Sequence, residues 1–358
     1  MTEQEAITAD KQEVNKVFNK NVIIKGALWF ALITVITIAG IFFYNNTGDT
    51  LKALQHISYK YIAICFVMLF VDLQLGSWRN HIYIRKLAPG VSHWVSFRAN
   101  VANMFMGAVT PAHGGAGPAQ IFVYTSNGVK FIDAFAVSLI NMGATLIFMP
   151  LAGFVAIMLM DTSSVSSFVP QMLKFGFTFF LLFLMAFILA FWKPLWVGAI
   201  IKKIANGLSA IFPKRKEKLS KWAESSFISI SKYQQTCSVI IRQHPFLFPL
   251  SLVITTLLYL NKYCLQWVIL MGLGVNANLV QVIAFQVIIQ FGIYFAPSPG
   301  GSGFAEVLIS KLFGTIIPAT LLPIFTLLQR SFLLFFPAMV GAYVVISLLR
   351  KQTFKKTG

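Results

Sequence analysis

Six stretches of the chain, 26–44, 59–76, 131–160, 176–192, 246–271 and 318–349, are apolar with few polar interruptions. Each is long enough for a helix across a hydrocarbon core of about 30 Å, which takes roughly 20 residues. Several contain Gly or Pro, tolerable in a membrane helix where neighbouring helices re-satisfy the freed backbone groups. A largely polar segment, 1–25, precedes the first run, and no small-residue cleavage site follows it. The run 26–44 is therefore expected to stay as a span and not to be removed as a signal peptide.

Between the runs, one polar pattern occurs twice. Thr110-Pro111-Ala112-His113-Gly114-Gly115-Ala116-Gly117-Pro118-Ala119-Gln120 is echoed by Ser298-Pro299-Gly300-Gly301-Ser302-Gly303-Phe304-Ala305-Glu306. From Gly114 onward the glycines recur at an offset of 186 residues, and the flanking apolar runs match at the same offset. Internal self-similarity of this length is the mark of a duplicated unit. It divides the chain into a segment 1–25, a single membrane domain 26–349 and a tail 350–358. Within the domain, repeat A covers 57–163, a basic linker 193–244, and repeat B 245–349.

Charge orients the pattern. Lys11, Lys16, Lys20 and Lys25 precede the first span, Arg79, Arg85 and Lys86 close the second, and 193–242 carries ten Lys and Arg against Glu217 and Glu224. The loops at 161–171 and 272–278 carry neither Lys nor Arg. Positive loops stay cytoplasmic, so both termini are expected inside, in a bacterial inner membrane. The segments 91–127 and 279–317 must then each enter and leave on one side, and those sides are opposite. The predicted fold is an all-α polytopic membrane protein with about six transmembrane helices and two opposed re-entrant hairpins in an inverted repeat, a transporter layout. The stretches 91–110 and 279–297 are each nearly long enough to span alone.

Composition fits this class: 57% of residues are hydrophobic, 11% are charged, and mean hydropathy is +0.74, whereas a soluble domain carries about a quarter charged residues. The net charge of +18 is placed by topology and does not call for nucleic acid. The linker is expected to lie against anionic lipid. Cys65, Cys237 and Cys264 show no disulfide framework or metal spacing, and the chain has no Gly-Lys dipeptide for a nucleotide loop. No metal or cofactor is expected.

Ionisable residues inside spans are functional candidates. Glu306 is the only carboxylate in 225–358; proton acceptor, ligand for a cationic head group and cap of its own hairpin helix all stay open. Arg330 faces either the cavity, as an anion ligand, or Glu306. Arg98 lies in the first hairpin, Lys262 in the fifth span, and Asp72 and Arg79 about two turns apart on the second. Helix N-termini after the breaks would attract an anion, although the glycines equally serve tight packing of the tips. Thr110, His113, Gly114, Gly115, Gln120, Ser298, Gly300, Gly301 and Ser302 complete the candidate binding set, with Glu306, Asp72 and Lys262 as coupling candidates.

The first motif with Ile121-Phe122-Val123-Tyr124, Asn127-Gly128-Val129 and Asp133-Ala134, the second through Glu306, and Gln329-Arg330 with Pro337 and Gly341 together resemble the lysylphosphatidylglycerol synthase transmembrane family, also called flippase-like. The resemblance covers roughly 20–349. It implies a domain that moves lipids or lipid-linked intermediates between leaflets. In bifunctional members a soluble aminoacyltransferase domain follows; the chain ends at Gly358, so aminoacyl transfer is not expected. The expected partner is an anionic phospholipid or a lipid-linked phosphate, and a homo-oligomer stays open. A secondary transporter of a small soluble anion and an intramembrane lipid-modifying enzyme are the alternatives. The second lacks a His-x-x-x-His pair and a nucleophile–base pair.

Overall fold

The computed structural model describes residues 57–159, 168–192, 194–211 and 216–357, with a few isolated helical positions before them. The expected first span, 26–44, falls almost wholly outside the described residues, as does most of the uncharged loop 161–171. The described chain is all helix: α1 (Tyr59–Leu87), α2 (His93–Val109), α3 (Ala116–Ser126), α4 (Phe131–Leu159), α5 (Phe168–Trp192), α6 (Pro194–Ile211), α7 (Lys216–Gln243), α8 (Leu247–Gly272), α9 (Leu279–Phe295), α10 (Phe304–Phe313), α11 (Leu322–Arg330) and α12 (Phe336–Thr357). Five stretches among the described residues are long and apolar enough to cross a bilayer: α1, α4, most of α5, α8, and the run from α11 into α12. The chain is an all-α polytopic membrane protein.

The last of these spans is not a plain α-helix. Ser331–Phe335 forms a π segment between α11 and α12. Its cause is local: Pro337 has no N–H to give to the carbonyl of Leu333, and its ring crowds that carbonyl, so the preceding turn widens. The basic linker is helical too. It folds as α6 and α7, which pack on each other, and α7 is held to α4 where the Cys237 thiol donates to the Ala136 carbonyl at 3.7 Å.

Both motifs break a helix. Helix α2 ends at Val109 and α3 starts at Ala116; α9 ends at Phe295 and α10 starts at Phe304. Each break opens with Pro and is followed by two residues in the left-handed region, Ala112 and His113 at φ 48° and 56°, Gly300 and Gly301 at φ 58° and 66°. A hydrogen bond from Gly114 N to Pro111 O closes the first turn, and one from Ser302 N to Pro299 O closes the second. The turns therefore correspond at an offset of 188 residues, two more than the spacing of the glycines. Gly tolerates positive φ freely, whereas Ala and His adopt it at a cost. The two turns meet: Pro111 and Pro299 face each other as an isolated antiparallel bridge.

Packing crosses between the halves. Helix α1 makes its most extensive contact with α8, α2 with α12, and α9 with α4. Lipid tails are as apolar as Leu, so association here rests on close fit and internal hydrogen bonds. Gly341 of α12 sits directly on the Val101 carbonyl and the Phe105 side chain of α2, while Gly153 of α4 sits on the Phe291 ring of α9. The two glycines again lie 188 residues apart, and their partners Phe105 and Phe291 lie 186 apart. Polar stitches run through the same layer: Asn141 Nδ2 donates to Asn80 Oδ1 at 2.6 Å, Tyr83 OH to Leu247 O at 3.1 Å, and Asn261 Nδ2 to Met68 O at 2.9 Å.

A Cβ at 341 would fall inside contact distance of backbone, whereas one at 90 would meet nothing within 4 Å. Gly341→Ala is expected to lower the melting temperature in detergent, at a cost of about 1–3 kcal/mol from overpacking. Gly90→Ala is expected to leave it unchanged, and thermal unfolding of the two variants side by side checks both outcomes.

Candidate functional site

At the centre of the bundle is a cavity of about 210 Å³, walled by both halves. Helix α1 supplies Asp72 and Arg79, α2 Asn100 and Asn103, α4 Thr145, and α8 Tyr259 and Lys262. Helix α9 contributes Gln286, Gln290 and Tyr294, and α11 Gln329 and Arg330; His113 and Gly300 come from the two breaks. Such polar and charged lining inside a membrane bundle calls for partners or a water-filled space.

The second break is built around one ion pair. Glu306 is wholly buried and Arg330 is 4% exposed. Arg330 Nε lies 2.9 Å from Glu306 Oε1, a contact between charges whose N–H is not aimed at the oxygen. The Nη2 of Arg330 donates to Gly300 O at 3.0 Å and to Ser302 Oγ at 3.3 Å. Glu306 Oε2 accepts from Gly303 N at 2.7 Å, capping α10 as the reciprocal half of a capping box does. The positive end of α10 thus already holds an anion, the chain's own carboxylate. Of the roles open to Glu306, the geometry builds the cap and the pairing with Arg330, and Glu306 is not among the cavity walls. Arg330 both pairs with it and reaches the wall.

The first break has no such ion pair among the described residues. Thr110 Oγ1 accepts from Gly115 N at 2.8 Å and donates to Met106 O. His113 faces the cavity with its ring 5.9 Å from that of Tyr294, whose hydroxyl lies 2.7 Å from that of Tyr259. Gln120 is buried and accepts from Asn103 at 3.4 Å, which places it one side chain behind the wall. Gly114, Gly115, Ser298 and Gly301 shape the turns without lining the cavity, and Arg98 is not among its walls either.

The halves also meet through charge. Lys262 Nζ of α8 lies 3.2 Å from Asp72 Oδ2 of α1. Arg79, two turns along α1 from Asp72, donates to Thr145 Oγ1 at 3.2 Å, and no carboxylate of the described residues pairs with it. Its buried Nε has no hydrogen-bond partner, nor do Asp72 Oδ1, Gln286 Nε2 and Gln329 Oε1. Gln329 Nε2 meanwhile donates to Gln286 Oε1 at 3.2 Å. Three cations, Arg79, Lys262 and Arg330, stand against two carboxylates, Asp72 and Glu306, so the site is positive by one charge. The amides of α9 and α11 and the tyrosines of α8 and α9 are absent from the sequence-based set. Their signal was Gln286 and Gln290, four residues apart inside an apolar run, on one face of a helix.

Residues 26–341 match the lysylphosphatidylglycerol synthase TM region. The chain belongs to this family. A UPF0104 membrane protein of Archaeoglobus fulgidus is 22% identical over 327 residues, covering 91% of this chain and 98% of the archaeal protein. The lysylphosphatidylglycerol synthase TM region is a lipid-related membrane domain, and the family match spans both breaks and Arg330.

Removing one partner of a buried ion pair strands the other charge. Glu306→Gln, which keeps the cap acceptor, is expected to destabilise the fold by about 3–5 kcal/mol. The double variant Glu306→Gln/Arg330→Gln is expected to be clearly more stable than the sum of the two single losses, because neither charge is left alone. Thermal unfolding of the three variants in detergent measures the coupling.

Proposed function

We propose that this protein moves an anionic phospholipid or lipid-linked phosphate between leaflets, holding the head group in the central cavity while the acyl chains stay in lipid. One observation carries the reading: Arg79, whose buried Nε is a donor without a partner, lines a cavity that keeps one excess positive charge even when Glu306 behind Arg330 is counted. A phosphate oxygen is the acceptor that suits a guanidinium. The cavity, of about 210 Å³, is large enough to take a polar head group against its charged wall. Membership of a lipid-related family supports the same substrate class.

In this reading α2–α3 and α9–α10 are re-entrant hairpins related by inversion, and rocking one half against the other exposes the cavity to each leaflet in turn. The matching turn conformations, the Pro111–Pro299 bridge and the crossed pairing of α2 with α12 and α9 with α4 support that relation. The charge bias of the loops places both termini in the cytoplasm. Among the coupling candidates, Asp72 and Lys262 line the cavity whereas Glu306 is committed to its cap and to Arg330. Proton coupling, in this reading, therefore runs through the Asp72–Lys262 pair.

Proteoliposomes with fluorescent head-group-labelled lipids test the proposal. An anionic lipid is expected to cross and a zwitterionic one to stay. Arg79→Gln is expected to slow the anionic lipid by about ten- to a hundredfold, the worth of one charge-assisted hydrogen bond. Transport of both lipids at equal rates, or full activity without Arg79, would exclude the reading. Inhibition by a soluble glycerophosphate that is itself carried across would assign the cavity to a small soluble anion.

Asp72→Asn removes the titrating carboxylate but keeps its shape. Transport by this variant is expected to be independent of an imposed pH gradient, whereas wild-type transport responds to one. An unaltered gradient response in the variant would remove Asp72 from coupling.

A further inference from the structure

The linker between the halves carries a surface distinct from the cavity. Helix α6 starts at Pro194, directly after α5 ends at Trp192, so it leaves the bilayer with the spanning helix before it. On α6, Ile200, Ile204 and Leu208 recur four residues apart and are 55%, 52% and 38% exposed. Trp196, one turn earlier, is 63% exposed. Residues four apart share one helix face. The other side of α6 is covered: Ala205 is 2% exposed, and α6 packs along α7. Lys202 and Lys203 are exposed; at about 100° per residue Lys203 borders the apolar stripe and Lys202 lies on the polar side of the helix.

We infer that α6 lies in the head-group boundary of an anionic leaflet, with Ile200, Ile204 and Leu208 in the acyl region and Lys203 beside the phosphates. An apolar stripe on a helix whose polar face carries lysines is the pattern of a helix lying in a membrane interface. Charge selects the leaflet: residues 193–242 carry ten Lys and Arg against two Glu, and polybasic segments next to spans are drawn to anionic lipid. An acidic protein would satisfy the lysines and leave the isoleucines without apolar cover. A bilayer surface meets both, and α5 already delivers α6 to it. The inference stands apart from what the cavity carries.

The test uses the full chain in nanodiscs holding one protomer each, so that a second copy cannot cover the stripe. Ile204→Cys and Asn206→Cys place thiols on the apolar and polar faces; the untouched chain gives the background of the native cysteines, two of which are buried. With a membrane-impermeant maleimide in discs containing anionic lipid, the thiol at 204 is expected to react about tenfold more slowly than that at 206, as burial in the acyl boundary excludes an aqueous reagent. Purely zwitterionic discs, or high salt, are expected to narrow the gap, since screening weakens attraction to the surface. Equal rates at 204 and 206 in anionic discs, or a gap indifferent to lipid charge and salt, would overturn the inference. Protection seen only in native membranes, and lost in pure lipid, would overturn it in favour of an acidic protein partner.

Discussion

A charge at membrane depth has few places to go, and the pairing of Arg330 with Glu306 is the constraint from which the centre of this protein follows. With Glu306 wholly buried and Arg330 nearly so, neither charge can be left alone. The guanidinium must therefore stay on the second break, which joins α11 to Gly300 and Ser302. The carboxylate must stay at the start of α10, which fixes where that helix begins. Once both are placed, α10 and α11 are held together, and the Gln286–Gln329 hydrogen bond ties α9 to α11 at the cavity wall.

The first break makes the same Pro-headed turn without the ionic clasp. Its turn is closed by the Thr110 hydroxyl, a neutral bond worth about 0.5–1.5 kcal/mol where bonds to charged groups reach about 1.5–3. It also places Ala112 and His113 in a conformation that the second break assigns to glycines. The two turns are alike in conformation and unlike in how firmly they are held. The pair Asp72–Lys262 links α8 to α1 and the Tyr259–Tyr294 contact links α8 to α9, and His113 and Gly300 of the two turns line the same cavity.

Much of this was legible in the chain. Apolar length located the described spans, and Gly and Pro located both helix breaks, because each effect acts over a few neighbouring residues. Asp72, His113, Gly300, Lys262 and Arg330 could be singled out because ionisable or glycine-rich positions are costly inside apolar runs. What resisted was pairing at a distance. That Asp72 meets Lys262 depends on how α1 crosses α8, and no local pattern encodes that crossing. Glu306 stood open among three roles for the same reason, and Arg98 carried a charge into α2 without reaching the cavity. The repeat was visible, but its turns correspond two residues away from the register of the glycines, because Ala112 and His113 take the conformation of Gly300 and Gly301.

The π segment Ser331–Phe335 has a bearing on how relatives of this chain are read. A π turn holds one residue more than an α turn, and one residue of α-helix is about 100° of rotation. A helical wheel drawn straight through the last span therefore aims Arg330 about 100° away from its true direction whenever it is anchored on α12. In a diverged sequence that wheel would send the arginine toward lipid, and its cognate carboxylate would look orphaned. Phase across this span has to be counted separately on either side of the widened turn, with Pro337 as the landmark for where the count restarts.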